Sequence, residues 1–294
     1  MSSVFVCETV RSETWKGFAD DEPCVLGIDE AGRGPVMGPM VYGCAVSPVA
    51  AAEELKELGV ADSKALTEEK REQIFNKMNT DDATKKIVAY AVRSLSPHLI
   101  SASMLQKAKY SLNQLSHDAA IALIRDALEC GIKVVEVFVD TVGPKATYQA
   151  KLEALFPNLS ITVTEKADAL FPVVSAASIA AKVTRDHELR DWAFEEGGDR
   201  FDGVKLGSGY PSDPTTKAFL AKTVDGVFGY PRLIRFSWKT VDVILDKKAV
   251  PIKWEADEDQ PKGQSLAKMW GKDGTSRKRH AFFTDRKLTN VTSL

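Results

Sequence analysis

The sequence predicts an α/β fold, a mixed sheet flanked by helices. Three observations carry that expectation. An apolar run at residues 24–28 ends abruptly in Asp29-Glu30 and a Gly32-Arg33-Gly34 turn. A second run, Val134 to Val139, ends on Asp140. After three early strand patterns, strand and helix signals alternate, as in a sheet with helices on both faces.

Each element follows from local pattern. Residues 1–22 are polar and mixed, and read as a loose lead-in. Residues 24–28 form a first strand. Residues 37–46 form a second, reached through a Gly/Pro-rich turn and suited to antiparallel pairing with the first. Ala61 to Lys64 is a loop. Thr67 then caps a helix reaching about Met78, with Lys70 where a full capping box wants Glu. Residues 87–94 alternate as a third strand. Residues 101–131 are helical by period, with one break expected near Ser116-His117-Asp118. Residues 134–140 and 159–164 complete a five-stranded set. A long helix is expected from Val173 to about Glu196. Its small face (Ser175, Ala176, Ala177, Ile179, Ala180) suits close packing on a sheet. Gly207 to Pro211 is a turn, and Asp213-Pro214 opens a further helix in a helical C-terminal part. The composition shifts near Lys253. The chain therefore divides into a lead-in (1–22), a main domain (23–250) and a partly flexible, partner-binding tail (251–294).

Composition narrows the function. An apolar fraction of 44% over 294 residues supports a sizeable core. The net charge of −2 means that any basic surface is local. The four cysteines show neither pairing nor metal-ligand spacing, which fits a reducing intracellular compartment. Four scattered histidines argue against a histidine-rich zinc site. No apolar run approaches the ~20 residues of a membrane helix, so no membrane association is expected.

The acids suggest the chemistry. If the strands ending at Asp29 and Asp140 are parallel neighbours, their carboxylates meet at one sheet end, where α/β proteins keep active sites. Asp168 follows the next strand. Two carboxylates at ~4 Å repel by about 4 kcal/mol at moderate dielectric. Clustered with Glu30, these groups either stay partly protonated or surround cations. Oxygen donors without histidine or cysteine select Mg²⁺ or Mn²⁺. Two such ions ~3.5–4 Å apart serve in-line phosphodiester hydrolysis. The glycines allow close backbone approach, and Arg33 is expected to offer a fork to phosphate. A glycosidase pair needs only two carboxylates and fits this motif less well. Neither a nucleophile elbow nor a Walker loop occurs.

Several other residues are candidates. Lys64 is expected to touch phosphate. Lys182 and Arg185, about one turn apart, line a substrate groove or balance helix charges. Asn113 and Ser178 read as local hydrogen-bonding groups. Lys217, Lys222, Arg232, Arg235 and Lys239 face only Asp225 in their segment and form the expected duplex-binding surface. Met104, Phe219, Phe228 and Trp238 read as core. In the tail, residues 262–287 carry eight Lys/Arg against two Asp. Arg277-Lys278-Arg279 there is a candidate nuclear-import or nucleic-acid patch. Met269-Trp270 and Phe282-Phe283 are candidate anchors for a partner.

Five motifs in order carry a resemblance. Gly27 to Pro35, Ala61-Asp62-Ser63-Lys64, Val139-Asp140, Lys166-Ala167-Asp168 and Gly207-Ser208-Gly209-Tyr210-Pro211 are similar to type 2 ribonuclease H (the ribonuclease HII family). The similarity spans about residues 24–239. Asp140 to Pro144 and the chain length look most like the catalytic subunit of the eukaryotic heterotrimer. The resemblance implies a ribonuclease H-like sheet and hydrolysis of the RNA strand of RNA–DNA hybrids. It implies incision 5′ of single ribonucleotides in duplex DNA, with two Mg²⁺ or Mn²⁺ ions and 3′-hydroxyl and 5′-phosphate products. It assigns Asp29, Glu30, Asp140 and Asp168 as metal-binding carboxylates. Gly32, Arg33 and Gly34 match a turn whose backbone reads the ribose 2′-hydroxyl, and Tyr210 matches a stacking residue. It further implies two non-catalytic partner subunits and a nuclear location. The competing expectation is a hybrid-binding or assembly subunit without catalysis.

Overall fold

The structure is a computed structural model that describes residues 7, 9–19, 22–60, 66–108, 110–196, 201 and 203–251. Six strands form one sheet: β1 (Thr9–Arg11), β2 (Cys24–Ala31), β3 (Met40–Pro48), β4 (Ala89–Leu95), β5 (Val134–Asp140) and β6 (Ser160–Thr164). Their order is β1-β4-β3-β2-β5-β6. The first four in that order pair antiparallel, while β2 pairs parallel with β5 and β5 with β6. The helices are α1 (Ala52–Glu57), α2 (Glu68–Thr80), α3 (Thr84–Ile87), α4 (Pro97–Leu105), α5 (Leu112–Glu129), α6 (Lys145–Leu155), α7 (Ala167–Leu170), α8 (Pro172–Arg190), α9 (Pro214–Thr223) and α10 (Lys239–Lys248).

The two faces of the sheet bury different helices. Leu26 and Ile28 of β2 join Tyr42, Cys44, Val137 and Val139 in a core with α5 and α6. Val41, Ala45 and Val92 pack instead against α2 and the small-residue face of α8. That helix sits unusually close. A Cβ at Gly27 would lie 2.5 Å from the Val173 carbonyl carbon, so only glycine permits the approach. A third cluster, with Val36, Met37, Phe219, Leu220, Leu233 and Ile234, joins the turn after β2 to α9 and α10.

Most expected elements are present, and their differences have causes. The expected strands at 37–46 and 87–94 become β3 and β4. Thr67 caps α2 by accepting from the Lys70 amide. Residues 9–19 of the expected lead-in are instead part of the fold. Strand β1 adds a sixth strand at the sheet edge, and Trp15 and Phe18 enter the core. An edge strand this short is held by ladder hydrogen bonds, and Thr-Val-Arg gives no burial pattern to read. The helix break falls before α5, not at Ser116. Ser111 and Gln114 form a capping box there. Ser116 and His117 stay helical because their polar groups have partners outside the helix. Helix α8 stops at Arg190, and Trp192 and Phe194 then turn into the third cluster. Phe228 is 84% exposed rather than core. All four cysteines are free. Met1–Val250 form one unit and Pro251–Leu294 another. The tail motifs at 269–270, 277–279 and 282–283 lie outside the described residues.

Candidate active site

The parallel pairing of β2 with β5 decides where the acids go. Ile28 is in register with Val139, so Asp29 and Asp140 come next on adjacent strands. Asp140 in turn pairs with Thr164 on β6. The chain then reverses through Lys166, whose φ of 55° is left-handed, and enters α7. The Ala167 amide donates to Asp140 Oδ1 at 3.0 Å. This bond fixes the next residue, Asp168, at the same sheet end, where it is 2% exposed.

Asp29 is 4% exposed, and its Oδ1 accepts from the Glu30 amide at 2.7 Å. Burial first, then the charge of Asp140, pushes its carboxyl up to about 7. The Ser178 hydroxyl and Lys182, both on α8, work in the opposite direction. Strand alternation sends Glu30 toward the other sheet face. There its charge raises the pKa of both Tyr42 and Tyr148, whose largest perturbation is burial.

Among the described residues, no three Asp, Glu, His or Cys side chains form a closed metal-binding group. The donor chemistry still fits a hard divalent cation. The four acids offer only oxygen, and burial beside the charge of Asp140 raises the Asp29 carboxyl even with Lys182 near it.

The turn after β2 is held from behind. Arg235 is completely buried. Its guanidinium donates to the carbonyls of Gly32 (2.6 Å), Arg33 (3.1 Å) and Gly38 (2.9 Å). Trp238 Nε1 donates to the Gly34 carbonyl at 3.1 Å, so every carbonyl of Gly32-Arg33-Gly34 has a donor. Arg235 therefore does not belong to a duplex-binding surface. Arg232 and Lys239 are also engaged, with Glu195 and Asp242 respectively. Three of the five cations of the expected basic surface are thus already engaged. Its composition hid a signal: Arg235 sits between Ile234 and Phe236 in an apolar run, which suits a buried group.

The Arg33 side chain also corrects the sequence reading. It does not reach outward as a phosphate fork. Its guanidinium donates inward to Ser116 Oγ and Asn113 Oδ1 on α5. Arg185 is buried against Gly32 rather than lining an open groove, and its Nε and Nη2 lack hydrogen-bond acceptors among the described residues. Lys182 faces Asp29. Lys64 lies outside the described residues.

Tyr210 completes the site. The Gly209 carbonyl accepts from the Val36 amide at 2.7 Å, docking the 207–211 turn onto the chain after Gly34. The Asp213 carboxylate accepts from Ser208 and from the first turn of α9. These bonds hold its pKa down to about 2. Tyr210 remains 49% exposed, and a Cβ at Gly34 would lie 3.1 Å from its Cε1.

The ribonuclease HII family model matches residues 26–241. The chain belongs to the ribonuclease HII family. It is 60% identical over 290 residues to the A subunit of ribonuclease H2 from Caenorhabditis elegans, covering 97% of this chain and 98% of that one. It is 50% identical over 278 residues to the Homo sapiens protein of the same name, covering 93% and 91%. Among solved structures, the ribonuclease H2 of Pyrococcus horikoshii OT3 aligns with a TM-score of 0.63 at 33% identity. That alignment covers 76% of this chain and 98% of the archaeal one. No helix among the described residues is long and apolar enough to cross a membrane.

Proposed function

We propose that this chain is the catalytic component of a type 2 ribonuclease H. It hydrolyses the RNA strand of RNA–DNA hybrids and incises 5′ of single ribonucleotides in duplex DNA. The products carry 3′-hydroxyl and 5′-phosphate ends. One observation carries the reading: Asp29 and Asp140 end paired parallel strands, and the Ala167 amide ties Asp140 to the helix bearing Asp168.

Asp29, Glu30, Asp140 and Asp168 are the residues that would hold two divalent ions, Mg²⁺ or Mn²⁺. Such ions, when bound, activate water and steady the leaving 3′-oxygen. The chain supplies the rest. Backbone groups of Gly32, Arg33 and Gly34 contact the 2′-hydroxyl, the group that distinguishes RNA from DNA. Tyr210 offers its exposed ring to a neighbouring sugar or base. Lys182, near Asp29, supplies positive charge beside the reacting phosphate, Arg185 adds charge from its buried place behind Gly32, and Lys64 is assigned a phosphate contact on sequence alone. The relatives are named as one subunit of ribonuclease H2, which supports assembly with further subunits. We extend this to two non-catalytic partners and a nuclear location.

The test is nicking of a labelled duplex holding one ribonucleotide, by the chain alone and with candidate partner subunits. Nicking requires Mg²⁺ or Mn²⁺, stops with EDTA, and is abolished in Asp29→Asn and Asp140→Asn while folding persists. Hybrid binding without chelator-sensitive nicking in any assembly refutes the enzyme and favours a purely assembling role.

A further inference from the structure

Helix α5 touches the site twice, on segments that come from different strands. Asn113 Oδ1 accepts from Arg33, three residues beyond Glu30. The amide nitrogen of the same side chain lies against Gly143, three residues beyond Asp140. A Cβ at Gly143 would stand 2.8 Å from Asn113 Nδ2. Gly143 also has a φ of 76°, so this position favours glycine on both counts.

The neighbours of Asn113 repeat the pattern. Residues i, i+3 and i+4 share one helix face. Ser116 accepts the second Arg33 donor. His117 meets the Val142 carbonyl through Nε2 at 3.2 Å, and a carbonyl only accepts, so Nε2 carries the hydrogen. The His117 ring stacks on Tyr148 with centroids 3.9 Å apart and planes at 9°. The Ser111–Gln114 capping box makes this helix end a firm base.

We propose that Asn113 is a positioning residue that couples the Arg33 turn to the 141–144 loop, so that both halves of the acidic centre hold one geometry. This deepens the proposed function and rests on it for the catalytic readout. Neither Asn113 nor the Arg33 guanidinium is required to touch substrate. Their effect passes through the backbone that follows Glu30 and the backbone that follows Asp140.

Two arms test the coupling in the full chain. The first needs no catalysis. Arg33→Met removes a guanidinium bonded to Asn113 and Ser116, on the α5 face that meets the 141–144 loop through Asn113 and His117. Hydrogen exchange of amides 141–143 should quicken by about threefold or more as local opening becomes easier. Unchanged exchange there overturns the proposal.

The second arm is incision kinetics with and without partner subunits. Asn113→Ala should lower kcat roughly 10- to 100-fold, the scale of a misplaced reacting group. KM should stay within about threefold, because phosphate contacts dominate affinity. Asn113→Asp keeps an oxygen facing Arg33 and should recover most of kcat. The double variant Arg33→Met/Asn113→Ala should match the worse single variant within about twofold, since one coupling is lost in each. Loss confined to KM, no rescue by Asp, or multiplied losses in the double variant overturn the proposal. If Asn113→Ala does not fold, Asn113→Asp and the exchange arm still decide. A wild-type chain inert in every assembly refutes the enzymatic reading, while the exchange arm judges the coupling separately.

Discussion

Gly32→Ala should be far more damaging than Gly34→Ala, although the two glycines flank one arginine. Gly32 has a φ of 77°, which costs an L-residue about 1–2 kcal/mol. Its new Cβ would lie 2.5 Å from Arg185 Cδ, closer still to Arg185 Nε, and 2.6 Å from the Pro39 carbonyl oxygen. Neither neighbour yields easily, because Arg185 is buried and Pro39 contributes backbone. Crowding of this kind adds about 1–3 kcal/mol. The turn is also tethered, since Arg235 holds the Gly32 and Arg33 carbonyls. The sum is about 2–5 kcal/mol. For a domain of this size it lowers Tm by roughly 5–15 °C. If the turn shifts instead, incision falls on the order of 100-fold. Gly34 has no left-handed backbone, and its Cβ would meet only the edge of the exposed Tyr210 ring at 3.1 Å. That ring can move, so Gly34→Ala should cost under about 1 kcal/mol. Calorimetry and single-turnover incision of a duplex with one ribonucleotide measure both effects. Equal losses for the two variants, or a silent Gly32→Ala, refute the argument.

Arg235→Met should destabilise the chain by about 3–5 kcal/mol, because one buried and two half-buried main-chain carbonyls lose a charged donor. Arg235→Lys should rescue little, since an ammonium lacks the planar fork that spans them; denaturant melts in which lysine equals arginine would contradict this. Lys166 has left-handed backbone at the entry to α7. Thermal melts should therefore rank Lys166→Gly at or above wild type and Lys166→Val below it by about 1–2 kcal/mol, and the opposite order would remove strain from the account of Asp168 placement.

The strand ends were legible because burial writes itself into sequence. Val134 to Asp140 reads as a strand from its apolar run, and its terminal acid marks the sheet end without any knowledge of pairing. The same logic gave β2 and the small-residue face of α8. Side-chain direction was not legible at Arg33, because an arginine between glycines looks the same whether it faces solvent or α5. Only the folded chain brings Asn113 and Ser116 beneath it. Arg235 was misread for a related reason. Local charge counting treats a buried cation and a surface cation alike, and its acceptors lie about 200 residues earlier in the chain. Strand β1 was missed because an edge strand needs a partner's backbone more than a pattern of its own.

Two buried arginines concentrate positive charge in a chain whose net charge is −2. Among the described residues, Arg235 donates to carbonyls alone, and the acid paired with Arg185 is Asp186, at 3.8 Å. Burial lowers the pKa of both, and the charge of Arg185 lowers that of Arg235 further. Two like charges are thus concentrated behind Gly32 at an energetic cost. A surface lysine of equal charge would be screened by salt within about 10 Å at 0.1 M ionic strength. A guanidinium inside the protein acts through a medium of lower dielectric, so its field at the turn is stronger and less sensitive to salt. The positive contribution of these two arginines at the Gly32-Arg33-Gly34 turn therefore depends on burial, and the chain's net charge is a poor guide to it.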